Sequence, residues 1–355
     1  MEKEIFEQYQ TYLGAIGNSS RLCDQKNVKL GGLEENKDIL KQMDNIILLA
    51  CGTSYNAAAV CLHYFKDLTN LNTVSLYDGA EFKAHDIPKI GKTAFILISQ
   101  SGETMDLQKC IEIGNEHNIF LMGVMNVVDS FIAREVDCGV YLNAGREVSV
   151  ASTKCFTAQV IVLTLIAIWF SQIHDVNARK RTHYIEDLHK LEYDIKCTLN
   201  NLKKEVTDDI VSCFDNFNSC FILGKGPSEY IAKEGALKIK EVSYIHAESY
   251  SSSALKHGPF ALLCENFPAV LIDNVNGDRK KNNNAYEEIK SRHAKIITIT
   301  DDEKISRENV IIVAYNHTFG DLLSVIPLQY LAFKLAVKRE HNPDTPTNLA
   351  KSVTV

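Results

Sequence analysis

The sequence predicts an α/β protein in which parallel sheets are flanked by helices. Three observations support this fold class. Short apolar runs of strand length alternate with helix-length stretches throughout the chain. Glycine turns follow two of these runs directly and lead into helical stretches. A charged interval separates two such alternating regions, and a chain of 355 residues is long enough for two ordinary domains.

The predicted strands fall into two groups, one in each half of the chain. Most of their residues are apolar, which is typical of strands buried on both faces of a parallel sheet. The first group comprises residues 46–50, 74–76, 94–98, 119–122 and 138–142, and the second comprises residues 220–223, 269–272, 296–299 and 310–313.

The two halves resemble a divergent repeat, because Gly52 and Gly226 each follow an apolar run and precede a helical stretch. Between the halves, residues 172–205 carry apolar side chains at helical spacing among charged ones, so we predict an amphipathic linking helix. Residues 274–290, which include consecutive asparagines, are predicted to form a surface loop that leads into a helix.

Composition limits the classes of function. Hydrophobic residues make up 45% and charged residues 23% of the chain, and the net charge is −7 without a basic stripe, so a nucleic-acid partner is disfavoured. The longest apolar run, residues 160–170, is shorter than the roughly 20 residues that cross a bilayer, so we predict a buried helix and no membrane partner. Scattered cysteines without metal spacing, and first residues without an apolar signal region, lead us to expect a cytoplasmic protein with reduced thiols and no metal site.

A polar loop after the third predicted strand is the first candidate site. It contains Ser99, Gln100, Ser101, Gly102 and Thr104 and opens a helical stretch. Unpaired backbone N–H groups at the positive end of a helix, together with hydroxyls, suit a phosphate. Considered alone, such a loop is more often an ordinary polar turn.

A second hydroxyl-bearing turn, which includes Thr53 and Ser54, follows the first predicted strand. In a doubly wound sheet it would lie beside the Ser99–Thr104 loop, so both turns could contact the same anion. Together the two turns predict the binding of a phosphate ester.

The stretch from Glu234 to Glu241 carries the second candidate group. Lys238 and Glu241 lie three residues apart and share one face of a predicted helix. A carboxylate beside an ammonium could move a proton between adjacent sugar carbons, as aldose–ketose isomerisation through an enediol requires. A solvated ion pair on a helix surface is the ordinary alternative.

Two further candidates lie in segments that would otherwise be expected to be exposed. His257, in a loop bounded by serine, glycine and proline, could transfer the proton that opens a sugar hemiacetal. Lys351 lies near the C-terminus, where a lysine is normally solvated and the chain frayed. Drawn into a pocket, it could form a Schiff base with a ketose carbonyl.

These pieces, in this order, resemble the sugar-isomerase (SIS) half of the glutamine–fructose-6-phosphate amidotransferase family, also called glucosamine-6-phosphate synthase. The likeness runs along the whole chain, and its closing motif is specific to this family. The matching motifs are Ala50-Cys-Gly-Thr-Ser-Tyr-Asn56, Ser99-Gln-Ser-Gly-Glu-Thr104, Val150-Ala-Ser-Thr-Lys154, Glu234-Gly-Ala-Leu-Lys-Ile-Lys-Glu241, Lys256-His-Gly-Pro259 and Asn348-Leu-Ala-Lys-Ser-Val-Thr-Val355.

The resemblance implies two SIS subdomains, each with a flavodoxin-like doubly wound parallel sheet, packed as a homodimer. We therefore expect a lead-in segment at residues 1–40, subdomains at 41–171 and 208–340, a helical linker at 172–207 and an active-site tail at 341–355. It further implies that fructose-6-phosphate is the substrate and that neither a metal nor an organic cofactor is needed.

The resemblance also implies a role for each candidate residue. Lys351 would engage the ketose carbonyl, His257 would open the ring from the neighbouring subunit, and Glu241 would move the proton between C1 and C2 with help from Lys238. The phosphate-binding positions would be Ser54, Ser99, Gln100, Ser101 and Thr104, and the residues lining the sugar would be Thr53, Val150 and Ala350.

The family's enzymes also carry an N-terminal glutaminase domain. This chain begins with Met1-Glu-Lys-Glu, where the family's isomerase half begins, so we expect it to interconvert fructose-6-phosphate and glucose-6-phosphate when alone. With a glutaminase partner or free ammonia we expect glucosamine-6-phosphate. Ala254 and Thr347 replace a glutamate and an arginine that are usual in the family, and we expect such changes to affect the rate more than the substrate.

Two alternatives remain open at the level of sequence. One is a non-catalytic sensor of sugar phosphates or UDP-sugars with the same fold, which Ala254 and Thr347 motivate. The other is a deaminating or deglycating enzyme that acts on amino-sugar phosphates, which would not need the Asn-Leu-Ala-Lys tail.

Overall fold

The computed structural model describes residues 1–351. They divide into two compact units. The unit that holds the first sheet, called unit N, comprises residues 10–147 and 154–186 together with Ala350 and Lys351. The unit that holds the second sheet, called unit C, comprises residues 1–9, 148–153 and 187–349.

Ten strands form two parallel five-stranded sheets within residues 1–351. The strands of unit N are β1 (Asn45–Ala50), β2 (Thr73–Asp78), β3 (Thr93–Ser99), β4 (Phe120–Met125) and β5 (Cys138–Tyr141). Those of unit C are β6 (Ser219–Gly224), β7 (His246–Ser251), β8 (Pro268–Ile272), β9 (Lys295–Thr300) and β10 (Val310–Ile312).

Helices connect the strands, as parallel pairing requires. In chain order they are α1 (Glu2–Phe6), α2 (Gln8–Ala15), α3 (Gly31–Glu34), α4 (Lys37–Leu40), α5 (Gly52–Leu68), α6 (Met105–Glu116), α7 (Phe131–Glu135), α8 (Lys154–Ile173), α9 (Ala178–Glu205), α10 (Asp208–Ser212), α11 (Pro227–Ser243), α12 (Arg279–Lys290) and α13 (Gly320–Lys338). Three-residue and four-residue 3₁₀ turns lie at Ala84–Asp86, Leu255–His257 and Pro259–Leu262.

Both sheets have the same strand order. In unit N the order is β2-β1-β3-β4-β5, and in unit C the order β7-β6-β8-β9-β10 repeats it. This is the flavodoxin-like doubly wound order, in which the chain changes direction between the first and third strands and leaves a crevice at their carboxyl ends. The predicted fold class is therefore confirmed.

Apolar strands hold each sheet between its helices. Every residue of β1, β3 and β8 is buried, because both faces of these central strands are covered. Strand β1 pairs with β3 so that Ala50 lies opposite Ile98 at the carboxyl end. In unit C the corresponding pair is β6 with β8, in which Leu223 lies opposite Leu271.

The sequence analysis did not predict one of the strands. Strand β7 (His246–Ser251) pairs with β6 at the edge of its sheet, and Ala247 is its one buried side chain. An edge strand of His-Ala-Glu-Ser-Tyr-Ser lacks the apolar run that identifies central strands. The stretch from residue 274 agrees with the prediction, since an exposed loop leads into α12, which begins at Arg279 and includes the consecutive asparagines.

The apolar run at residues 160–170 belongs to a longer helix than the run itself suggests. Helix α8 has 20 residues, so by length and composition alone α8 could cross a bilayer, as could α13. Our argument from the length of the run was therefore wrong. The burial was predicted correctly, since 94% of the most apolar stretch of α8 is buried inside the protein, as is typical of core helices.

Candidate functional site

The polar loop after β3 lies at the point of unit N where the strand order reverses. Because β1 and β3 are parallel neighbours, the turns that follow them leave the same edge of the sheet. Helix α5 begins at Gly52 after the first turn, and α6 begins at Met105 after the second. The two helix N-termini bring unpaired N–H groups to this edge, which is the expected position of an anion in such folds.

Hydrogen bonds within the loop fix its shape. Ser99 is buried, and its Oγ accepts a bond from the N–H of Gly102 at 3.0 Å and shares a second with Thr104 Oγ1 at 2.9 Å. Ser101 Oγ accepts a bond from the N–H of Glu103 at 3.1 Å. The hydroxyls therefore organise the loop, and Gln100, Ser101 and Thr104 remain partly accessible along it.

Gly102 is required by this geometry. Its φ of +69° belongs to the left-handed region, which side chains other than glycine rarely adopt. A Cβ at this position would lie 2.0 Å from Ser130 Oγ, which is buried and has no hydrogen-bond partner among the described residues. The loop can therefore keep this course only with glycine at position 102.

The turn after β1 carries Thr53 and Ser54 into the first turn of α5. Ser54 is buried, and its Oγ accepts a hydrogen bond at 2.7 Å from Nε2 of Gln159 on α8. Thr53 is half-buried. Gln159 thus orients one predicted phosphate ligand, a role that the sequence analysis did not assign.

Lys351 lies against a buried carboxylate of unit N. Its Nζ is 3.1 Å from Oε2 of Glu147, whose side chain is fully buried, whereas the lysine side chain is 29% exposed. Glu147 Oε1 accepts a hydrogen bond at 3.2 Å from the N–H of Cys155 in the first turn of α8. A carboxylate is favourable at this positive end of a helix.

The negative charge of Glu147 affects the pKa of a neighbouring thiol. Burial first, and then the Glu147 charge, raise the pKa of the Cys155 thiol well above its usual value. A buried carboxylate is costly without a counter-charge, so the ion pair with Lys351 stabilises the position of both groups. The predicted catalytic lysine is therefore held in place, and Ala350 precedes it as an exposed residue.

In unit C, Lys238 lies between two glutamates on one face of α11. Its Nζ is 2.6 Å from Oε2 of Glu241 and 3.5 Å from Oε1 of Glu234. Lys238 and Glu234 are fully buried, and the side chain of Glu241 is 20% exposed. The spacing that we predicted to bring Lys238 and Glu241 together does so, and the pair is not a solvated surface bridge.

The ion pair between Lys238 and Glu241 is made through Oε2 of the carboxylate. Oε2 of Glu241 is buried against the Lys238 ammonium at 2.6 Å, so the 20% exposure of this side chain lies elsewhere on it. A carboxylate that pairs with a cation through one oxygen can still accept a proton at the other.

The other predicted residues of unit C occupy two different segments. Val150 is half-buried, and its N–H donates to the carbonyl of Asp344 at 3.1 Å, so the segment that carries it is anchored to the C-terminal part of the chain. His257 ends a 3₁₀ turn and is exposed, as expected for a loop histidine.

Tyr244 anchors the C-terminal segment to the end of α11. Its hydroxyl accepts hydrogen bonds from the N–H of Thr347 at 2.7 Å and from Thr347 Oγ1 at 3.0 Å. The ring also contacts the His341 imidazole, with 4.6 Å between ring centroids. Thr347, at a position where the family usually has arginine, therefore makes a defined contact within unit C.

Two acidic residues were missed as members of the site. Glu234 could have been found from its spacing of four residues to Lys238, but its burial could not. Glu147 is separated from Lys351 by 204 positions, so no local pattern connects them. Within residues 1–351, no group of three or more histidine, cysteine, aspartate or glutamate side chains is arranged to hold a metal ion.

A family model for the SIS domain matches residues 39–169 and 215–339, which contain both sheets. The chain belongs to the SIS-domain family. The matched ranges include the loop after β3, the Lys238 cluster and His257, whereas Lys351 lies beyond them.

Relatives with more specific names cover the whole chain. A "probable glutamine–fructose-6-phosphate aminotransferase [isomerizing]" of Acanthamoeba polyphaga mimivirus is 45% identical over 356 residues, which is 100% of this chain and 57% of the relative. A "glutamine–fructose-6-phosphate aminotransferase [isomerizing]" of Chlorobaculum tepidum is 36% identical over 362 residues, which is 100% of this chain and 58% of the relative. The chain thus spans little more than half the length of these relatives.

A solved structure matches nearly end to end. The C-terminal domain of glucosamine-fructose-6-phosphate aminotransferase from Francisella tularensis has a TM-score of 0.89 and 30% identity, with 98% of this chain and 97% of that chain covered. The predicted resemblance to the isomerase half of this family is therefore confirmed.

Proposed function

We propose that this chain is a phosphosugar isomerase that converts fructose-6-phosphate to glucose-6-phosphate through an enediol. The observation that carries the proposal is the contact of 2.6 Å between the buried ammonium of Lys238 and the carboxylate of Glu241. Most helix-surface ion pairs are solvated and exchange with water. Burial of the lysine instead fixes the carboxylate in one place, which is what a proton-transfer group needs.

The phosphate of the substrate is proposed to bind at the edge of the first sheet. Backbone N–H groups at the start of α5 and α6 supply partial positive charge. Hydroxyls and an amide complete the set of donors, from Ser54, Ser99, Gln100, Ser101 and Thr104. A phosphate has more acceptor sites than one helix terminus can satisfy, so two adjacent turns suit it better than one.

Ring opening and carbonyl capture are proposed for His257 and Lys351. An imidazole near neutrality can both accept and donate the proton that opens a hemiacetal, and an exposed histidine can serve a neighbouring subunit of a homodimer. The Lys351 amine would attack C2 and expel water to form a Schiff base, and water, or ammonia where it is supplied, would displace the lysine from C2 before the proton moves from C1 to C2. Glu147, at 3.1 Å, holds the amine and can accept the proton that the ammonium must lose before it attacks.

Proton transfer between C1 and C2 is proposed for Glu241. The carboxylate would remove a proton from C1 and return it to C2, while the Lys238 ammonium keeps the carboxylate oriented and offsets the developing negative charge. Thr53, Val150 and Ala350 are proposed to line the sugar. We propose no metal or organic cofactor, because acid–base groups suffice for an enediol step.

With ammonia supplied by a glutaminase domain or subunit, the same groups would yield glucosamine-6-phosphate. A cytoplasmic homodimer in amino-sugar biosynthesis is part of the proposal. So is the division into a lead-in (1–40), two SIS subdomains (41–171 and 208–340), a linker (172–207) and a tail (341–355), which the matched ranges 39–169 and 215–339 support.

Three substrate mixtures, followed by ¹³C NMR, test the proposal. The purified chain is incubated with fructose-6-phosphate alone, with fructose-6-phosphate and ammonium, and with glucosamine-6-phosphate. Glucose-6-phosphate from the first mixture supports the proposal. Turnover of glucosamine-6-phosphate alone would favour a deaminating enzyme, and saturable binding of fructose-6-phosphate without any turnover would favour a sensor.

A further inference from the structure

A cavity of about 350 Å³ opens in unit C, apart from the residues proposed for catalysis. Its volume lies in the range of small-molecule sites. Lysines, small polar residues and one carboxylate line it: Lys225, Ser252, Ser253, Lys256, Lys281, Asn284, Ala285 and Glu288.

The position of the cavity in the fold is that of a ligand site. Lys225 follows β6, Ser252 and Ser253 follow β7, and α12 is the helix that follows β8. Because β6 lies between β7 and β8 in the parallel sheet, these segments leave its carboxyl edge where the strand order reverses. The corresponding edge of the first sheet carries the Ser99–Thr104 loop.

Three lysines from three segments converge on the cavity. Lys225 Nζ donates to Ser253 Oγ at 3.0 Å, and Lys281 lies 3.5 Å from Asp278 on its own helix. Within residues 1–351, no carboxylate lies at ion-pair distance from Lys225 or Lys256. Glu288 is the one acidic residue of the lining, so the wall carries an excess of positive charge.

We propose that this cavity is a second anion site, which takes the phosphoryl groups of a small phosphorylated metabolite. Several ammonium groups facing one cavity repel each other, and an anion with multiple oxygens relieves that repulsion while accepting their hydrogen bonds. Three lysines in the lining suit a diphosphate, which offers more acceptor oxygens than a monophosphate.

An occupant would also restrain the segment that carries His257. Lys256 lines the cavity and directly precedes His257 in the 3₁₀ turn Leu255–His257. Ser252 Oγ donates to Asn282 Oδ1 of α12 at 2.8 Å, so one end of the segment is already tied to that helix. An anion held by both Lys256 and Lys281 would tie the other end.

Inorganic pyrophosphate is the probe for this site. Its affinity for the full chain is measured by equilibrium dialysis, and hydrogen–deuterium exchange with and without pyrophosphate locates the binding. We expect slower exchange in residues 252–257 and about tenfold weaker binding at this site in Lys225→Gln and in Lys281→Gln. Lys280→Gln, an exposed change of the same charge on the same helix, is the control and should bind like the wild type.

Three outcomes would overturn the inference. They are equal affinity in Lys281→Gln and Lys280→Gln, protection confined to residues 99–106, and no saturable binding. None of them depends on isomerase activity, so failure of this second site and failure of the proposed function are distinguishable.

Discussion

The ammonium of Lys238 lies 2.6 Å from the Glu241 carboxylate inside α11, with Glu234 at 3.5 Å on its other side. Of the two carboxylates, that of Glu241 belongs to a side chain that is 20% exposed, whereas Glu234 is fully buried. This difference in exposure is the reason that we propose Glu241, and not Glu234, as the proton-transfer group.

Glu241→Gln should abolish isomerisation while preserving substrate binding. The amide has nearly the same shape but cannot accept a proton from carbon, and general-base groups contribute about 10²- to 10⁴-fold to rates. We expect kcat to fall by that order and the KM for fructose-6-phosphate to change less than about threefold. Steady-state kinetics with a dehydrogenase-coupled assay measure both.

Glu229→Gln is the matched control for this prediction. Glu229 lies on α11 and pairs with Lys233 at 3.7 Å near the surface. The same chemical change at that position should leave kcat within about twofold, because surface ion pairs contribute little. A Glu241→Gln protein with full activity would contradict the assignment of the base.

Glu147→Gln should weaken the capture of the substrate carbonyl by Lys351. The substitution removes the negative charge and the proton acceptor that lie 3.1 Å from the Lys351 amine. Borohydride reduction in the presence of fructose-6-phosphate should label Lys351 in the wild type. We expect the labelled fraction, read by peptide mass spectrometry, to fall about tenfold or more in Glu147→Gln.

Lys351→Ala serves as the blank in the same experiment, since it removes the amine itself. Thermal unfolding of both variants shows whether the loss of labelling reflects misfolding. Equal labelling of Glu147→Gln and the wild type would refute a positioning role for Glu147.

Gly102→Ala should distort the phosphate loop. The substitution forces an alanine to φ +69° and drives its Cβ into Ser130 Oγ, so we expect a loss of about 1–3 kcal/mol in the free energy of unfolding. The KM for fructose-6-phosphate should rise while kcat at saturation changes less. Urea unfolding and steady-state kinetics measure the two effects.

Gly31→Ala is a suitable comparison, because a Cβ at Gly31 meets nothing within 4 Å. Its unfolding free energy and KM should remain close to those of the wild type. If the two alanine variants behave alike, the loop does not depend on the geometry of Gly102.

His174 should make the stability of the protein depend on pH. Burial lowers the pKa of this histidine from the ordinary value of 6.5, although its contact with the Lys41 carbonyl opposes the change. Because the unfolded chain binds the proton more readily, the free energy of unfolding should decrease as the pH falls below 6.5 toward the folded pKa, and it should be insensitive to this residue at higher pH. Urea midpoints between pH 5 and 8 test this expectation.

Two variants are compared in that experiment. His174→Gln removes the half-buried histidine, and His189→Gln makes the same change at an exposed position on α9. His174→Gln should flatten the pH dependence, whereas His189→Gln should leave it as in the wild type. Identical profiles for the two variants would contradict the prediction.

The central strands could be predicted from sequence because burial on both faces leaves an uninterrupted apolar run. Strand β7 could not be predicted, because its single buried residue, Ala247, does not produce a periodic pattern of apolar residues. In the site, Lys238 and Glu241 were accessible to prediction because helical spacing brings them together. Glu147 was not, because its pairing with Lys351 depends on the fold of a chain segment 204 positions away.

The hydroxyl loop illustrates a different limit. Its composition predicted an anion site, but the sequence did not reveal that Ser99 would organise the loop from inside through Gly102 and Thr104. Nor did it reveal that Gln159 would hold Ser54. Such interactions depend on tertiary packing rather than on local propensity.

Formation of glucose-6-phosphate from fructose-6-phosphate by the purified wild-type chain tests the central claim most directly. A coupled dehydrogenase assay, with Lys351→Ala in parallel, gives the answer in one experiment. We predict turnover in the wild type that falls sharply in the variant. Saturable binding of fructose-6-phosphate without product in the wild type would contradict the isomerase assignment.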